Sequence, residues 1–189
     1  MNIESFLSRF INSNKNKMKK VFAIGFLFFA AFSCFAQNVP TTESILSAAN
    51  KQAAKENKNV FVIFHASWCG WCKKMDASMN DAITKKYFND NYVTVHLTVQ
   101  ETPENKKLEN PGAAEYLKSL KGENAGLPFF VILNNAGNLL GNSFANGGNI
   151  GCPASEEEVA AFITLLKNTS TINKEMSETI TSRFKQNKP

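Results

Sequence analysis

The stretch Val60-Phe61-Val62-Ile63-Phe64-His65-Ala66-Ser67-Trp68-Cys69-Gly70-Trp71-Cys72-Lys73 decides how this 189-residue chain reads. Its first five residues are all β-branched or aromatic, with no polar interruption. A strand with one wet face would alternate, so this one reads as buried on both faces, at the centre of a sheet. A helix is expected from about Cys69 to Met79. Three residues apart in its first turn, the two sulfurs lie on one face within reach of each other. Cys69 sits at the helix N-terminus, where unpaired N–H groups and the positive end of the macrodipole favour a thiolate. A lowered thiol pKa helps attack on a disulfide and departure from a mixed one. Cys69 is the expected nucleophile, and Cys72, one turn in, the thiol that resolves the mixed disulfide.

Outward from this centre the elements alternate. Residues 42–57 read as a helix with Ile45, Leu46, Ala49, Ala53 and Ala54 on one face and Thr41 or Thr42 as cap. A second helical stretch follows around 81–89, then an alternating strand over Tyr92–Val99 and a polar loop over 100–111. A short helix covers about 113–120 and a third strand Phe129–Leu133. After the turn Asn134–Asn138, Leu139–Ala145 is expected to return as an antiparallel partner. Residues 146–154 form a Gly- and Asn-rich loop. Ser155 with Glu158 makes a capping box for a helix over 156–168, and 172–186 reads as a last amphipathic helix, docked or free. Strands alternating with helices imply an α/β domain, a central mixed sheet with helices on both faces.

At Trp68-Cys69-Gly70-Trp71-Cys72-Lys73 the sequence resembles the thioredoxin family. A second match, Gly126-Leu127-Pro128-Phe129, lies roughly fifty residues on, before a strand. The resemblance spans about 42–168, leaving 169–189 as a C-terminal helical extension. It implies a thioredoxin fold, a cis peptide before Pro128 facing the cysteine pair, and a client segment pairing with the backbone there. Trp68, Gly70, Trp71, Leu127 and Pro128 are then the client-contact residues. Two departures stand out. The family's thioredoxins carry a buried Asp six residues before the first cysteine, where this chain has Ile63, and Trp71 replaces the usual proline between the cysteines. His65 either raises the thiolate population when charged or is a half-buried histidine without a redox role. Cys152, in Gly147-Gly148-Asn149-Ile150-Gly151-Cys152-Pro153, is either a third redox thiol or a small buried one.

The first 36 residues are different material. Lys15, Lys17, Lys19 and Lys20 surround Met18, an alternative initiator, and an apolar run of about 15 residues from Val21 follows. That is short of the ~20 a membrane-spanning helix needs. With small residues at Cys34 and Ala36 it reads as a secretory signal peptide cleaved after Ala36, leaving 37–189 as one domain. An uncleaved anchor and a lipoprotein attached through Cys34 are the competing readings. Removing Arg9 and the four lysines against Glu4 takes the formal balance from +5 to +1. The electrostatic case for nucleic acid disappears with it.

One Cys-x-x-Cys supplies two ligands where a closed zinc site wants four, so no metal is expected. Lys73 stands where covalent haem attachment needs His, and no phosphate-cradling glycine loop follows a strand. The expected function is an exported thiol–disulfide oxidoreductase, periplasmic and more reductase than oxidase. It uses the Cys69–Cys72 pair in place of any cofactor. Disulfide-containing exported proteins are its clients and a membrane thiol carrier its electron donor. The rival is a non-enzymatic chaperone or binding module of the same fold.

Overall fold

The computed structural model describes residues 39–145 and 147–187, and the expected leader over 1–36 lies outside them. Thr41 caps α1 (Thr42–Glu56), its hydroxyl accepting the Ser44 N–H, and Asn57 ends the helix in the left-handed region at φ 54°. Then come β1 (Asn59–His65), α2 (Gly70–Met79), α3 (Lys85–Asn91) and β2 (Tyr92–Thr98). Beyond a 3₁₀ turn over Pro103–Leu108 lie α4 (Ala113–Ser119), β3 (Phe129–Leu133) and β4 (Leu139–Asn142). The short strands β5 (Phe144–Ala145) and β6 (Gly148–Asn149) precede α5 (Glu156–Thr169) and α6 (Lys174–Phe184).

Four strands form one mixed sheet in the order β2-β1-β3-β4. β1 runs parallel to β2, with Ile63 opposite His96, and antiparallel to β3, with Phe64 opposite Phe129. It is hydrogen-bonded along both edges and covered on both faces, which is why Val60–Phe64 carries no polar side chain. Val60, Val62, Phe64, Phe129 and Val131 pack beneath α1 and α4 through Ala49, Ala53 and Leu117. Phe61, Ile63, Phe130 and Ile132 face the other layer, through Met75, Phe88, Phe162 and Phe184. The architecture is the α/β sheet with helices on both faces that the pattern implies.

Two local features depart from the sequence reading. The return strand expected over 139–145 stops at Asn142. Ser143 exchanges its backbone N–H and its hydroxyl with the carbonyl and N–H of Phe130, satisfying the ladder without extending the strand. Phe144–Ala145 then leave the sheet to pair with Gly148–Asn149 as a separate ribbon. The loop over 100–111 contains the 3₁₀ turn, begun by Pro103, whose fixed φ suits a first helical position.

The C-terminal helix is docked. Phe184 lies 4.9 Å from Phe162 and 6.3 Å from Phe88, centroid to centroid, and Ile180 is buried beside them. Arg183 Nε donates to Asp81 Oδ2 at 2.7 Å. Just past the helix, Asn187 accepts from Ser78 Oγ at 2.9 Å and donates to Cys152 Sγ at 3.4 Å, tying the end of α2 to the loop before α5. Phe184→Ala is expected to cost about 3–5 kcal/mol in equilibrium urea unfolding. A loss below about 1 kcal/mol would mean that α6 is no part of the core.

Candidate active site

β1 ends at His65, whose carbonyl accepts the Val99 N–H at 2.9 Å. The chain then makes a turn through Ala66, Ser67 and Trp68, closed by Cys69 N–H to Ala66 O at 3.0 Å. Cys69 becomes the N-cap of α2, its Sγ accepting the Cys72 N–H at 3.0 Å. A sulfur replaces the usual capping oxygen and takes one of the helix's free N–H donors, that of Cys72. The two sulfurs are bonded at 2.06 Å. Both cysteines are 2% exposed, whereas Trp68 and Trp71 are 54% and 37% exposed on either side. Gly70 faces open space, and Lys74 Nζ stands 4.4 Å from the Trp71 ring centroid.

The second element arrives from across the sequence. The Leu127–Pro128 peptide is cis, and Leu127 packs against the cluster of Ala66, Cys69 and Cys72. Gly126, at φ 82°, makes the turn that delivers it, a conformation open to glycine at no steric cost. The loop is held from outside by Asn149 of β6. Its amide Nδ2 donates to Ala125 O at 3.1 Å, Gly126 O at 3.2 Å and Pro128 O at 3.0 Å, and its Oδ1 accepts the Gly151 N–H. Asn149 was not among the sequence candidates. The available signal was indirect: carbonyls in a proline loop outside the sheet need donors from somewhere. A cleft of about 310 Å³ opens here, lined by Trp71, Leu127, Asn149, Gly151, Cys152 and Glu158.

His65 and Cys152 are placed differently from the pair. His65 is half-buried, its Nε2 3.1 Å from Thr98 Oγ1 and its ring edge-on to His96. Burial lowers its pKa below 6.5, His96 lowers it further, and Asp76 and Glu101 oppose. At pH 7 the ring is neutral and brings no positive charge towards Cys69. His96 Nε2 lies 2.7 Å from Asp76 Oδ1. Asp76 follows Cys72 by four residues on α2, and helical side chains lean back towards the preceding turn. This places a carboxylate–imidazole pair one turn from Cys72, while Ile63 packs with Met75 in the apolar core. Burial pushes the Cys152 thiol up to about 12, and Lys74 and Arg183 only partly offset it. Among the described residues no group of three or more His, Cys, Asp or Glu side chains could hold a metal ion.

A model of the thioredoxin-like family matches residues 41–135, half of the chain. The chain belongs to the thioredoxin-like family. With its disulfide-bonded Cys69–Cys72 pair it is a thiol–disulfide oxidoreductase, a kind that works through a redox-active disulfide. Among solved structures it is similar to a disulphide isomerase from Xylella fastidiosa Temecula1. That match has 15% identity, covers 82% of this chain and 94% of that one, and gives a TM-score of 0.48. A thioredoxin from Thermus thermophilus matches at 20% identity over 68% and 83% of the two chains, with a TM-score of 0.42. The oxidised C-terminal domain of DsbD from Neisseria meningitidis matches at 19% identity over 69% and 97%, with a TM-score of 0.41. No curated protein matches.

Two predictions follow from the histidine and the third thiol. Because the folded His65 resists protonation, the unfolded chain binds more protons as pH falls below about 6.5, and stability drops in that window. Urea midpoints at pH 7.5 and 5.5 should fall less for His65→Gln than for the parent, and an equal fall would refute the assignment. Cys152→Ser is expected to leave turnover and oxidation products unchanged in a disulfide-reduction assay with mass spectrometry.

Proposed function

We propose that the thioredoxin-like chain is an exported reductase of protein disulfides, with Cys69 as nucleophile and Cys72 as resolving thiol. One arrangement carries the reading. The Cys69–Cys72 disulfide caps α2 while the cis Leu127–Pro128 loop packs against it. With the pair reduced, the Cys69 thiolate attacks a client disulfide. A bond forms from Cys69 to one client sulfur, the client S–S bond breaks, and the leaving sulfur takes a proton. Cys72 gives up its proton and attacks the Cys69 sulfur of this mixed disulfide. The Cys69–Cys72 bond forms, and the second client sulfur leaves and is protonated. Two electrons and two protons have passed to the client, and the positive end of α2 favours the Cys69 thiolate at the start.

Trp68, Gly70, Trp71, Leu127 and Pro128 form the client-contact surface. The exposed indoles flank the sulfurs, Gly70 leaves the approach clear, and an extended client segment pairs with the backbone at the proline loop. Clients are exported proteins with disulfides. The basic cluster Lys15–Lys20, the apolar run after it and the small residues at Cys34 and Ala36 support export to the periplasm, with 37–189 as the mature single domain. Outside the cytosol the spent pair needs electrons, which calls for a membrane thiol carrier. The Trp-Cys-Gly start and the family resemblance favour the reductive direction.

Equilibration of the pair against thiol buffers is expected to give a potential near that of thioredoxins, about −270 mV. A value near the roughly −120 mV of a strong dithiol oxidant would reverse the direction. Cys72→Ser should accumulate a mixed disulfide with insulin through Cys69, and Cys69→Ser should accumulate none. Mass spectrometry of the exported protein should find Gln37 first.

A further inference from the structure

Two residues after β2 grip the two residues before Cys69. Glu101 is 8% exposed, and its carboxylate accepts twice from Ser67: the backbone N–H reaches Oε1 at 2.6 Å and the hydroxyl reaches Oε2 at 2.7 Å. Next to it, Gln100 O accepts the Trp68 indole N–H at 2.8 Å. Gln100 holds a left-handed backbone at φ 53°, and its own amide donates to Glu123 O at 2.9 Å. The Glu101 backbone is tied in turn, its N–H donating to Glu109 Oε1 at 2.8 Å, where Lys106 Nζ also binds at 2.9 Å. Ser67 and Trp68 are the central residues of the turn closed by Cys69 N–H to Ala66 O. A turn of this kind keeps its ends within about 7 Å. The carboxylate is therefore bound at a central residue of that turn, two positions before the nucleophile.

The donors that reach this carboxylate, an amide and a hydroxyl, are both neutral. Lys106, the nearby cation in this network, is bound to Glu109. The positive end of α2 lowers the cost of a thiolate at Cys69, and an anion on the far side of the turn raises it. Stabilising the thiolate stabilises the reduced pair and makes it a stronger oxidant, and opposing the thiolate does the reverse. His65, which also feels Glu101, is neutral at pH 7 and does not cancel it.

We propose that Glu101 is a positioning residue for disulfide exchange that fixes the turn presenting Cys69 through Ser67 and, by its charge, holds the Cys69–Cys72 couple at a more reducing potential than the helix terminus alone would set. The inference takes Cys69 as nucleophile from the function proposed above but is independent of the net direction, because it concerns a difference between variants and not an absolute potential.

Glu101→Gln keeps an acceptor for the Ser67 N–H and a partner for its hydroxyl while removing the charge. Ser67→Ala keeps the charge and removes one neutral donor that screens it. A purely structural clasp would be loosened by both changes and shift both variants the same way. The charge predicts opposite signs. For Glu101→Gln, the Cys69 acid dissociation constant should rise about tenfold, the scale for a unit charge roughly 10 Å away at an effective dielectric of about 20. A tenfold change in the redox equilibrium constant would raise the potential by about 30 mV. For Ser67→Ala both quantities should move the other way by a smaller factor. The readouts are thiolate absorbance against pH in the reduced protein and the equilibrium with thiol buffers. An unchanged or weakened acidity in Glu101→Gln, or stronger acidity in both variants, overturns the proposal. If Glu101→Gln does not fold, Ser67→Ala decides alone: weaker acidity supports the proposal and any other result overturns it. Failure of the nucleophile assignment itself is read separately, by the absence of trapping in Cys72→Ser.

Discussion

Residues Val60–Phe64 have no route to water. They are paired on both edges by β2 and β3 and covered on both faces by helices. A strand in that position cannot shift register by one residue without exchanging its two sets of core contacts. Everything at the active site inherits this rigidity. His65 follows the last apolar residue, the turn through Ser67 follows His65, and Cys69 begins α2 where the turn ends. The sulfur at the N-cap is placed by a strand that cannot move.

Rigidity of the strand does not orient the turn after it. The chain from Ala66 to Trp68 leaves the sheet and must satisfy its polar groups elsewhere. Glu101 and Gln100 do this on one side, at the point where β2 has also just ended. β1 and β2 run parallel in register, so their C-terminal ends come out side by side. The loops after parallel strands meet at the same edge of the sheet, where open α/β sheets gather their functional groups. On the other side Asn149 holds the proline loop by its carbonyls, and that asparagine is available because Ser143 turns the chain out of β4 into a separate ribbon. Local features that look incidental along the sequence are thus what bring the two sides of the site together.

The C-terminal helix reaches the same site from behind. Phe184 and Ile180 complete the apolar layer under α2, α3 and α5, and Asn187 links Ser78 at the far end of α2 with Cys152 and Pro153. Cys152 is consequently an interior thiol with a hydrogen-bond donor upon it. It lines the same cleft as Trp71 and Leu127, and burial holds its thiol well above the ordinary cysteine range.

The strand, the capped helix after it and the reactive pair were legible from residue types alone. An apolar β-branched run is buried wherever it lies, and cysteines three apart at a helix start share a face whatever surrounds them. The Leu127–Pro128 loop was legible through resemblance, and Ser155 with Glu158 as a capping box through local spacing; both are present. Asn149 and Glu101 were not legible. An asparagine in a glycine-rich loop and a glutamate in a polar one look like solvated residues until the fold decides which unpaired backbone groups lie opposite them. Nor could the sequence show that α6 is docked, since its amphipathic spacing is the same whether its apolar side meets the core or another surface. Local chemistry is set by covalent neighbours. The donors, acceptors and charges that tune it come from segments dozens of residues away, and only the closed tertiary structure determines which of them meet.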